Sequence, residues 1–587
     1  MEVKSPIFEF MLKKCDVQLM KNYSNDFYGP MRHNDTKSDF LDPLNLIFSS
    51  CALIVIIFTN FHLDKEKTKS QLFFVLKSPN IKEFFYVVSC LLASIFFLPF
   101  ILLISITFKI YREYVKHHYL LKNKKLKFVD FMTGEDTVWV CENNNSKSII
   151  NVLAFINSNN AINENLPNEL LNSIKSKVFS KLVLTNRFPK LFYRRQRDPS
   201  GYFYWTNDNS LSINNYVRFL DRFNESIVIK DEEMKRQMSE ICNNSLPANN
   251  SALWECLIGQ QAVQYIDGIK YPVIFRIHHS VGDGVALLRL FLETLADNED
   301  IKIENNPLLT DMKDSLYLKF LRLISFIYTI IKTPSVLCSQ IRKEIDYNQI
   351  HPTILTGKKK INWIYESELG STSSLLTVVK ALKRKFPGSR FSNILLAALS
   401  KSLRDFFEQK NYKIPKEMTV VIPARLYNMK EDPTLKMENK FSVALQTIPI
   451  DVNKTDDRMK KIQNYSDIVI SSPDYQINYF MMAVVAAVFP DWILKTIMYS
   501  KHATMAISNL PGPNFTIKIN GYEFESVGFF LPNLDQTACG LTILSYDNRL
   551  HFGMMADESS IESEEDLGNI LKGMINELQN MAENFLK

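Results

Sequence analysis

The 587-residue chain lacks the features that mark several large classes of protein. Its eight cysteines form no Cys-x-x-Cys pair and no metal-ligand spacing, so the sequence predicts no metal site and fits a reduced, cytosol-facing protein. The net charge is only +6, and the lysines and arginines are dispersed among acidic residues rather than gathered on one basic face. This pattern argues against nucleic acid as a partner.

The N-terminal region also lacks a signal peptide, because its first apolar run begins after a long polar and charged lead. It does contain two long apolar runs. Residues 84–108 carry no charge and exceed the roughly 20 residues that cross a bilayer, so they predict a transmembrane helix. Residues 44–61 are shorter and predict a second such helix. The lysines and arginines that follow residue 108 predict that the rest of the chain faces the cytoplasm.

Length and pattern predict the organisation of the remainder. The chain exceeds the roughly 250 to 300 residues that one core organises, so we expect two domains and an extra segment. From about residue 125, short β-rich runs alternate with amphipathic stretches, which indicates a mixed α/β fold. We therefore predict a membrane-anchoring region at 1–124, an α/β domain at 125–310, a crossover at 311–370 and a second α/β domain at 371–587.

Two apolar segments have open interpretations. Residues 316–331 carry an i, i+3, i+4 apolar stripe between lysines and arginines, which suits a helix on a membrane surface or one packed on the core equally well. Residues 479–489 are apolar but only about half a membrane span long. We interpret them as an internal helix or as the wall of a tunnel for an acyl chain.

The residues that point most directly to chemistry are 278–284, which read His-His-Ser-Val-Gly-Asp-Gly. A β-rich run, 271–277, precedes them, and a helical pattern, 285–295, follows. The motif therefore places an imidazole on a tight turn at a strand end. A histidine there can take a proton from a hydroxyl, since its usual pKa of about 6.5 is close to the working pH.

This motif resembles the signature of CoA-dependent, chloramphenicol acetyltransferase-like acyltransferases, and most closely that of the wax ester synthase/diacylglycerol acyltransferase (WS/DGAT) family. Further elements are similar to the family's in the same order: Leu253-Trp254-Glu255, the run from Ser392 to Ala397, and Ser508-Asn509-Leu510-Pro511-Gly512-Pro513. Together they cover roughly residues 130 to 560. The chain departs from the family pattern at Ala252, Ile394 and Glu438, the last lying just before Asn439.

The resemblance implies two chloramphenicol acetyltransferase-like domains joined by a long crossover. It implies that His279 is the general base, that His278 holds the loop, and that fatty acyl-CoA is a co-substrate with no permanently bound cofactor. Asp283 would turn away from the reaction and pair with a basic side chain. Gly282 and Gly284 would supply backbone angles and close approaches that a Cβ obstructs.

Other site residues are predicted with less defined roles. Attack on a thioester creates an oxyanion, and Ser508 and Asn509, before Gly512, are candidate donors or part of a rigid turn. Arg425 is either the partner of Asp283 or a contact of a CoA phosphate. Trp254 and Asn393 are predicted to be structural, Trp254 through packing and Asn393 as the cap of the helix that follows it.

The apolar N-terminal runs suggest an acceptor that resides in a bilayer. We expect wax ester synthesis from a fatty alcohol, with triacylglycerol synthesis from diacylglycerol as the alternative. A third hypothesis is a non-catalytic lipid-binding scaffold at the membrane. The expected location is the endoplasmic reticulum membrane with cytosolic catalytic domains, or the lipid droplet.

Overall fold

The computed structural model describes residues 81–122, 127–158, 162–207, 211–265, 268–297, 327, 331–366, 374–425, 434–498, 501–534 and 537–586. The predicted membrane helix at 44–61 and most of the apolar stripe at 316–331 lie outside these residues.

Fifteen α-helices are described, several of them short. They are α1 (Ile81–Leu121), α2 (Gly134–Val140), α3 (Leu166–Val178), α4 (Ile213–Tyr216), α5 (Asp231–Asn243), α6 (Pro247–Asn250), α7 (Gly284–Leu290), α8 (331–341), α9 (Leu375–Lys385), α10 (Phe391–Gln409), α11 (Thr455–Ser471), α12 (Asp474–Phe480), α13 (Ala486–Val488), α14 (Asp491–Met498) and α15 (Glu564–Phe585). Single π-helical turns, Phe179–Val183, Phe291–Leu295 and Met481–Val485, extend α3, α7 and α12, and a 3-10 turn covers Pro189–Phe192.

Seventeen strands are described. They are β1 (Phe128–Phe131), β2 (Ile149–Asn157), β3 (Arg194–Arg197), β4 (Phe203–Thr206), β5 (Val217–Phe219), β6 (Val228–Lys230), β7 (Trp254–Ile258), β8 (Ala262–Tyr265), β9 (Gly268–His278), β10 (Lys359–Tyr365), β11 (Glu417–Arg425), β12 (Phe441–Pro449), β13 (Met505–Pro511), β14 (Ile517–Ile519), β15 (Tyr522–Phe530), β16 (Cys539–Tyr546) and β17 (Arg549–Asp557). The mixed α/β class predicted from the sequence is confirmed.

The strands form three sheets. The first large sheet has eight strands in the order β14-β15-β2-β9-β7-β5, with β8 added to β9 and β6 to β8. The second has six in the order β10-β17-β16-β13-β11-β12. A small sheet, β1-β4-β3, lies apart from both. Strand β9 is central to the first sheet and nearly all buried, as its apolar sequence requires.

The two large sheets exchange strands across the predicted boundaries. Strands β14 and β15 lie within the predicted second domain, yet β15 pairs with β2 of the first sheet and β14 pairs with β15 at its edge. Strand β10, which lies within the predicted crossover, is an edge strand of the second sheet through β17. Hydrophobic pattern identifies a strand but not its partner, so the position of these segments in the sequence did not show which sheet they join.

The core is built in layers around these sheets. One cluster covers the face of the first sheet that carries Val273, Phe275 and Ile277, and includes residues of α3 and α7. A second cluster fills the second sheet against α10 and α15. A third, around Trp363 and Phe530, joins the other face of the first sheet to α5 and β10. Both large sheets are therefore held in one body through the exchanged strands and this shared core.

Helix α1 has a different character from the rest of the body. It is 41 residues long, contains Pro99, and is the one helix within the described residues long and apolar enough to cross a membrane. Only 11% of the residues in its most apolar stretch are buried. Its C-terminal part packs on the small sheet through Tyr119, which stacks on Phe128 and donates a 2.6 Å hydrogen bond to Asp198.

Candidate active site

The predicted motif lies at the turn between β9 and α7. His278 is the last residue of β9, and Asp283 caps α7. The backbone N–H of His278 donates to the carbonyl of Leu253, and that of His279 donates to the carbonyl of Ser148, each at 2.7 Å. The motif is thus held by the ends of β7 and β2, and the two adjacent imidazoles have entirely different neighbours.

The imidazole of His279 is enclosed by aromatic rings. The indole of Trp139 stacks on it with ring centroids 3.6 Å apart and 12° between planes. Phe441 lies on the ring at 5.7 Å and 45°. The residue as a whole is 6% exposed. His279 therefore sits in an apolar slot, where the neutral imidazole is favoured over the charged form.

Asn439 fixes the tautomer of this imidazole. Its side-chain Nδ2 donates 2.9 Å hydrogen bonds to the Asp136 carboxylate and to the His279 carbonyl. Its Oδ1 therefore faces Nδ1 of His279 at 3.1 Å, so Nδ1 must carry the proton and donate. Nε2 is left with its lone pair free to accept a proton, which is the arrangement that a general base needs.

Asp136 holds the orientation of Asn439. It lies in the first turn of α2, which begins because Thr133 accepts a hydrogen bond from the Asp136 N–H at 3.3 Å. Its second carboxylate oxygen accepts from the ammonium of Lys190 at 2.6 Å, and that ammonium also donates to the Met437 carbonyl. The network thus runs from Lys190 through Asp136 and Asn439 to His279.

The pKa of His279 is lowered by this environment. Burial lowers it to about 4, from an ordinary value near 6.5, because the slot does not solvate an imidazolium. His279 is therefore neutral throughout the physiological range. A neutral, buried imidazole with a free Nε2 can accept a proton from a hydroxyl bound next to it.

His278 has polar neighbours instead. Arg195 donates to its Nε2 at 2.7 Å, and its Nδ1 lies 2.7 Å from the Ser280 hydroxyl. Glu142 pairs with Arg195 at 2.6 Å; burial opposes its ionisation, but the neighbouring His278 and the charge of Arg195 lower its pKa to about 2. Burial and Arg195 lower the pKa of His278. Both of its ring nitrogens are thus engaged within the loop.

Asp283 is a helix cap in this structure. Its Oδ1 accepts from the N–H groups of Val285 and Ala286 at 3.1 and 2.8 Å. Its Oδ2 accepts from the backbone N–H of Lys440 at 2.9 Å. The carboxylate therefore joins the motif to the segment that carries Asn439, and it holds the shape of the loop through backbone amides.

The two glycines of the motif differ from expectation. Neither Gly282 nor Gly284 has a positive φ. A Cβ at Gly282 would approach Ala286 no closer than 3.4 Å, and one at Gly284 would lie 3.8 Å from Leu510. Both are ordinary contacts, so the expected special backbone angles and obstructed approaches are not found in this conformation.

The predicted site residues of the second sheet are Ser508, Asn509, Gly512 and Arg425, and only some of them lie near the motif. Ser508 and Asn509 lie within β13, and the next residue, Leu510, lies over the position of Gly284. Asn509 lines an apolar cavity between α10 and the second sheet. A Cβ at Gly512 would lie 2.5 Å from the Ser545 carbonyl, so this glycine is required for close packing against β16. Arg425 ends β11 and pairs in register with Phe441, the neighbour of His279.

Trp254 and Asn393 lie inside the fold. The indole N–H of Trp254 donates to the Leu191 carbonyl at 3.1 Å, and its ring stacks on Tyr216 at 4.8 Å. Asn393 was predicted to cap α10, but Arg390 is the cap and Asn393 is fully buried in the first turn. The apolar run that follows Asn393 suggested that the helix begins with that run, whereas α10 begins three residues earlier, at Phe391.

Three residues of the site, Trp139, Asp136 and Asn439, were not predicted from the sequence. Trp139 and Asp136 lie on a short helix far from the motif in the sequence, and Asn439 is 160 residues beyond His279. The sequence offered one indication of Asn439, because it directly follows Glu438, a residue at which this chain departs from the family pattern. Within the described residues, no group of three or more His, Cys, Asp or Glu side chains is arranged to hold a metal ion.

Comparison with known proteins finds a family domain and related sequences. Residues 437–581 match the family described as WS/DGAT C-terminal domain. The O-acyltransferase WSD of Acinetobacter baylyi is 22% identical over 407 residues, which cover 64% of this chain and 82% of that protein. A probable diacylglycerol O-acyltransferase of Mycobacterium tuberculosis is 20% identical over 331 residues, 55% of this chain and 70% of that protein.

A solved structure shows the same fold. The wax ester synthase/diacylglycerol acyltransferase from Marinobacter aquaeolei VT8 superposes with a TM-score of 0.52 at 16% sequence identity, covering 77% of this chain and all of that one. The chain therefore has the same fold as that protein. Together with the C-terminal domain that residues 437–581 match and the related sequences, this agrees with the resemblance to the WS/DGAT family that the motifs carry.

Proposed function

We propose that the protein transfers a fatty acyl group from acyl-CoA to the hydroxyl of a long-chain alcohol, with His279 as the general base. Nε2 of His279 accepts the hydroxyl proton while the oxygen attacks the thioester carbon. The tetrahedral intermediate then collapses, its carbon–sulfur bond breaks, and the leaving CoA sulfur takes the proton back from the imidazolium. The products are an ester and free CoA, and no covalent acyl-enzyme forms.

The observation that carries this proposal is the fixed tautomer of His279. Asn439 accepts the Nδ1 proton at 3.1 Å, and Trp139 holds the ring plane, so Nε2 is presented as an acceptor in one orientation. A histidine with a purely structural role would have both ring nitrogens engaged, as His278 does. Catalysis by such a base contributes about 10²–10⁴-fold to a rate.

One observation supports an apolar acceptor. The long helix α1 leaves large apolar side chains exposed, among them Leu92, Phe96 and Leu103. An uncovered apolar surface of this kind suits contact with the bilayer in which a long-chain alcohol or diacylglycerol resides.

Diacylglycerol is the second candidate acceptor. It is favoured by the name of the Mycobacterium tuberculosis relative, whereas the name of the Acinetobacter baylyi relative specifies only O-acyl transfer. Both acceptors present a hydroxyl on a bilayer-resident molecule, so the base and the membrane location suit both. We place the protein on the endoplasmic reticulum membrane with its catalytic part in the cytosol, or on lipid droplets.

The test supplies membranes containing the protein with labelled palmitoyl-CoA and either hexadecanol or diacylglycerol, and separates the neutral lipids. The parent and the His279→Ala variant are compared, with His117→Ala as a control that removes an exposed histidine of α1. Wax ester from the parent and the control but not from His279→Ala supports the proposal. Triacylglycerol alone would move the acceptor to diacylglycerol.

Equal ester formation by the parent and His279→Ala would overturn the role of the base. Failure of every preparation to form ester, with unchanged membrane binding, would favour the non-catalytic scaffold.

A further inference from the structure

Helix α1 contacts the catalytic body at both ends of its apolar run. At the N-terminal end, the Tyr86 hydroxyl donates to the Ser335 carbonyl on α8 at 3.5 Å, and Val87 and Cys90 are buried. At the C-terminal end, the ring of Phe108 lies 5.1 Å from that of Phe489 and 6.3 Å from that of Trp492. The apolar run is therefore held at two separate points.

The distance between these two points is close to a membrane thickness. At 1.5 Å per residue, Tyr86 and Phe108 are about 33 Å apart along α1. The hydrocarbon core of a bilayer is about 30 Å thick. A helix that crossed the bilayer along its normal would therefore carry these two contacts to opposite sides of the membrane.

The catalytic body itself connects the two contact points. Helix α8, which meets Tyr86, is joined to the start of α12 by a hydrogen bond from the Gln340 amide to the Asp474 carboxylate. From there α12, its π-helical turn and α13 run continuously to Phe489, a length of roughly 20 Å. The body thus extends beside α1 along most of the apolar run.

Exposure along α1 agrees with this arrangement. The less exposed positions follow one stripe at helical spacing, with Val87, Leu91, Ser94, Leu98 and Ser105 among them. The other face is strongly exposed, and its large side chains include Leu92 62%, Ile95 61%, Phe96 65%, Phe100 57% and Leu103 64%. One side of the helix is therefore less exposed than the other, and the other side is apolar and uncovered.

The end of the apolar run has the composition of a membrane interface. Trp492, on α14, is 58% exposed and contacts Phe108, the last residue before Lys109. Lys495 follows on the same short helix with its side chain 40% exposed. Tryptophan with lysine at the boundary of an apolar segment is typical of the headgroup region of a bilayer.

From these observations we propose that α1 lies along the catalytic body in one leaflet of the membrane, with its exposed face in the lipid and α14 at the headgroups, rather than crossing the bilayer. The partner of this surface is the lipid bilayer. This inference rests on the membrane location in the proposed function, and it replaces the crossing helix predicted from residues 84–108.

The arrangement also brings the lipid close to the reacting base. Helix α13 packs on α2, where Ala486, Cys141 and Leu494 form a buried cluster. The π-helical turn before α13 is so close to α2 that a Cβ at Gly134 would overlap the Met482 carbonyl. Helix α2 carries Trp139, which stacks on His279. Among the described residues, α13 and α2 thus connect the side of the body that carries the membrane helix to the base.

Membrane topology tests the inference directly. A site for a sequence-specific protease is inserted between Ser70 and Gln71, ahead of α1, and the same site is placed after Lys587 as the control that reports the side of the catalytic body. Sealed microsomes are treated with the protease with and without detergent. If α1 lies in one leaflet, either both sites are cut without detergent or both are cut only with it. If α1 crosses the bilayer, one site is cut without detergent and the other only with it, which overturns the proposal.

Tryptophan fluorescence tests the lipid contact itself. The other four tryptophans, Trp139, Trp205, Trp254 and Trp363, are at most 8% exposed, so Trp492 is the one that lipid can reach. In vesicles whose lipids carry bromine near the headgroup, we expect quenching in the parent that is lost in Trp492→Phe. Absence of quenching in the parent would mean that another surface covers Trp492, and quenching that persists in Trp492→Phe would come from another tryptophan; either result would overturn the proposal. Neither protease cleavage nor tryptophan quenching depends on ester synthesis. Failure of this membrane arrangement is therefore distinguishable from failure of the proposed function.

Discussion

The indole of Trp139 lies flat against the imidazole of His279, with ring centroids 3.6 Å apart and planes 12° apart. Stacking at this distance excludes water from one whole face of the imidazole. It also restricts rotation of the ring, so that Nδ1 stays opposite Asn439 and Nε2 keeps one direction. Trp139 is therefore a positioning residue that both lowers the basicity of His279 and orients it.

The pH dependence of the reaction should report this burial. His279 must be neutral to accept a proton, and burial lowers its pKa to about 4. We expect kcat/KM to remain high at pH 5 to 6 and to fall only as the pH approaches 4. An acid limb near the ordinary histidine value of about 6.5 would contradict the assignment of His279 as a desolvated base.

Removing the indole of Trp139 should shift the acid limb of kcat/KM to higher pH. In Trp139→Ala, water reaches the imidazole, so the pKa of His279 should rise toward its ordinary value and the acid limb of kcat/KM should move up with it. Trp139→Phe keeps an aromatic face and is the matched control, with a limb close to that of the parent. A lower kcat with an unmoved limb in Trp139→Ala would limit Trp139 to packing.

Without the Asn439 side chain, the imidazole of His279 should no longer be held in one tautomer. In Asn439→Ala the Nδ1 proton has no fixed acceptor, so a fraction of molecules carries the proton on Nε2 and cannot act as a base. We expect kcat to fall by part of the about 10²–10⁴-fold that a general base contributes, with KM for acyl-CoA little changed. Steady-state kinetics measure the split between kcat and KM.

The control for Asn439→Ala is Gln446→Ala. Gln446 is a buried amide on β12, the strand that begins just after Asn439, and it donates to the Ser466 hydroxyl at 2.7 Å. This variant removes a buried amide from the same region without touching His279, so its kcat should stay close to that of the parent. Equal losses of kcat in the two variants would contradict a specific role for Asn439.

The cap of α7 should stabilise the motif without taking part in proton transfer. Asp283→Ala removes the acceptor for two N–H groups of α7 and for the Lys440 N–H, and should cost about 0.5–2 kcal/mol for the cap alone. Asp283→Asn keeps an oxygen for capping and should recover most of the thermal stability. A loss of activity in Asp283→Asn as large as in His279→Ala would instead show that the carboxylate acts in the reaction.

A buried ion pair near the motif should be sensitive to the loss of one partner. Arg276, 1% exposed, donates to Glu255 at 2.5 Å, and Glu255 is fully buried. Arg276→Met leaves that carboxylate with Arg218 as its remaining ionic partner among the described contacts. Because Arg218 still offsets part of the charge, the fold should be destabilised by less than the roughly 3–5 kcal/mol lost when a buried charge has no partner.

The double variant Glu255→Leu with Arg276→Met tests the reason for that loss. Because it removes both charges, it should recover much of the thermal stability that Arg276→Met loses. Thermal unfolding of the purified proteins measures both effects. A double variant less stable than Arg276→Met would show that the pair stabilises the fold beyond the mutual neutralisation of its charges.

Local sequence patterns predicted the elements around the motif correctly. The β-rich run 271–277 lies in β9, and the helical pattern 285–295 forms α7 and its π-helical turn. The apolar run 479–489 is helical, as predicted, although it is divided among α12, a π-helical turn and α13. These predictions succeeded because apolar periodicity and capping residues act between neighbours in the chain.

The chain by itself determined the α/β class, the strand–turn–helix that carries His278 and His279, and the resemblance to the WS/DGAT family. Only the tertiary structure decided which residues surround His279, which sheet receives β14 and β15, and how α1 lies on the body. Trp139, Asp136 and Asn439 are all distant from His279 in the sequence and meet around it only in the folded chain. Contacts of that kind depend on how the sheets and helices pack together, and no pattern of adjacent residues specifies them.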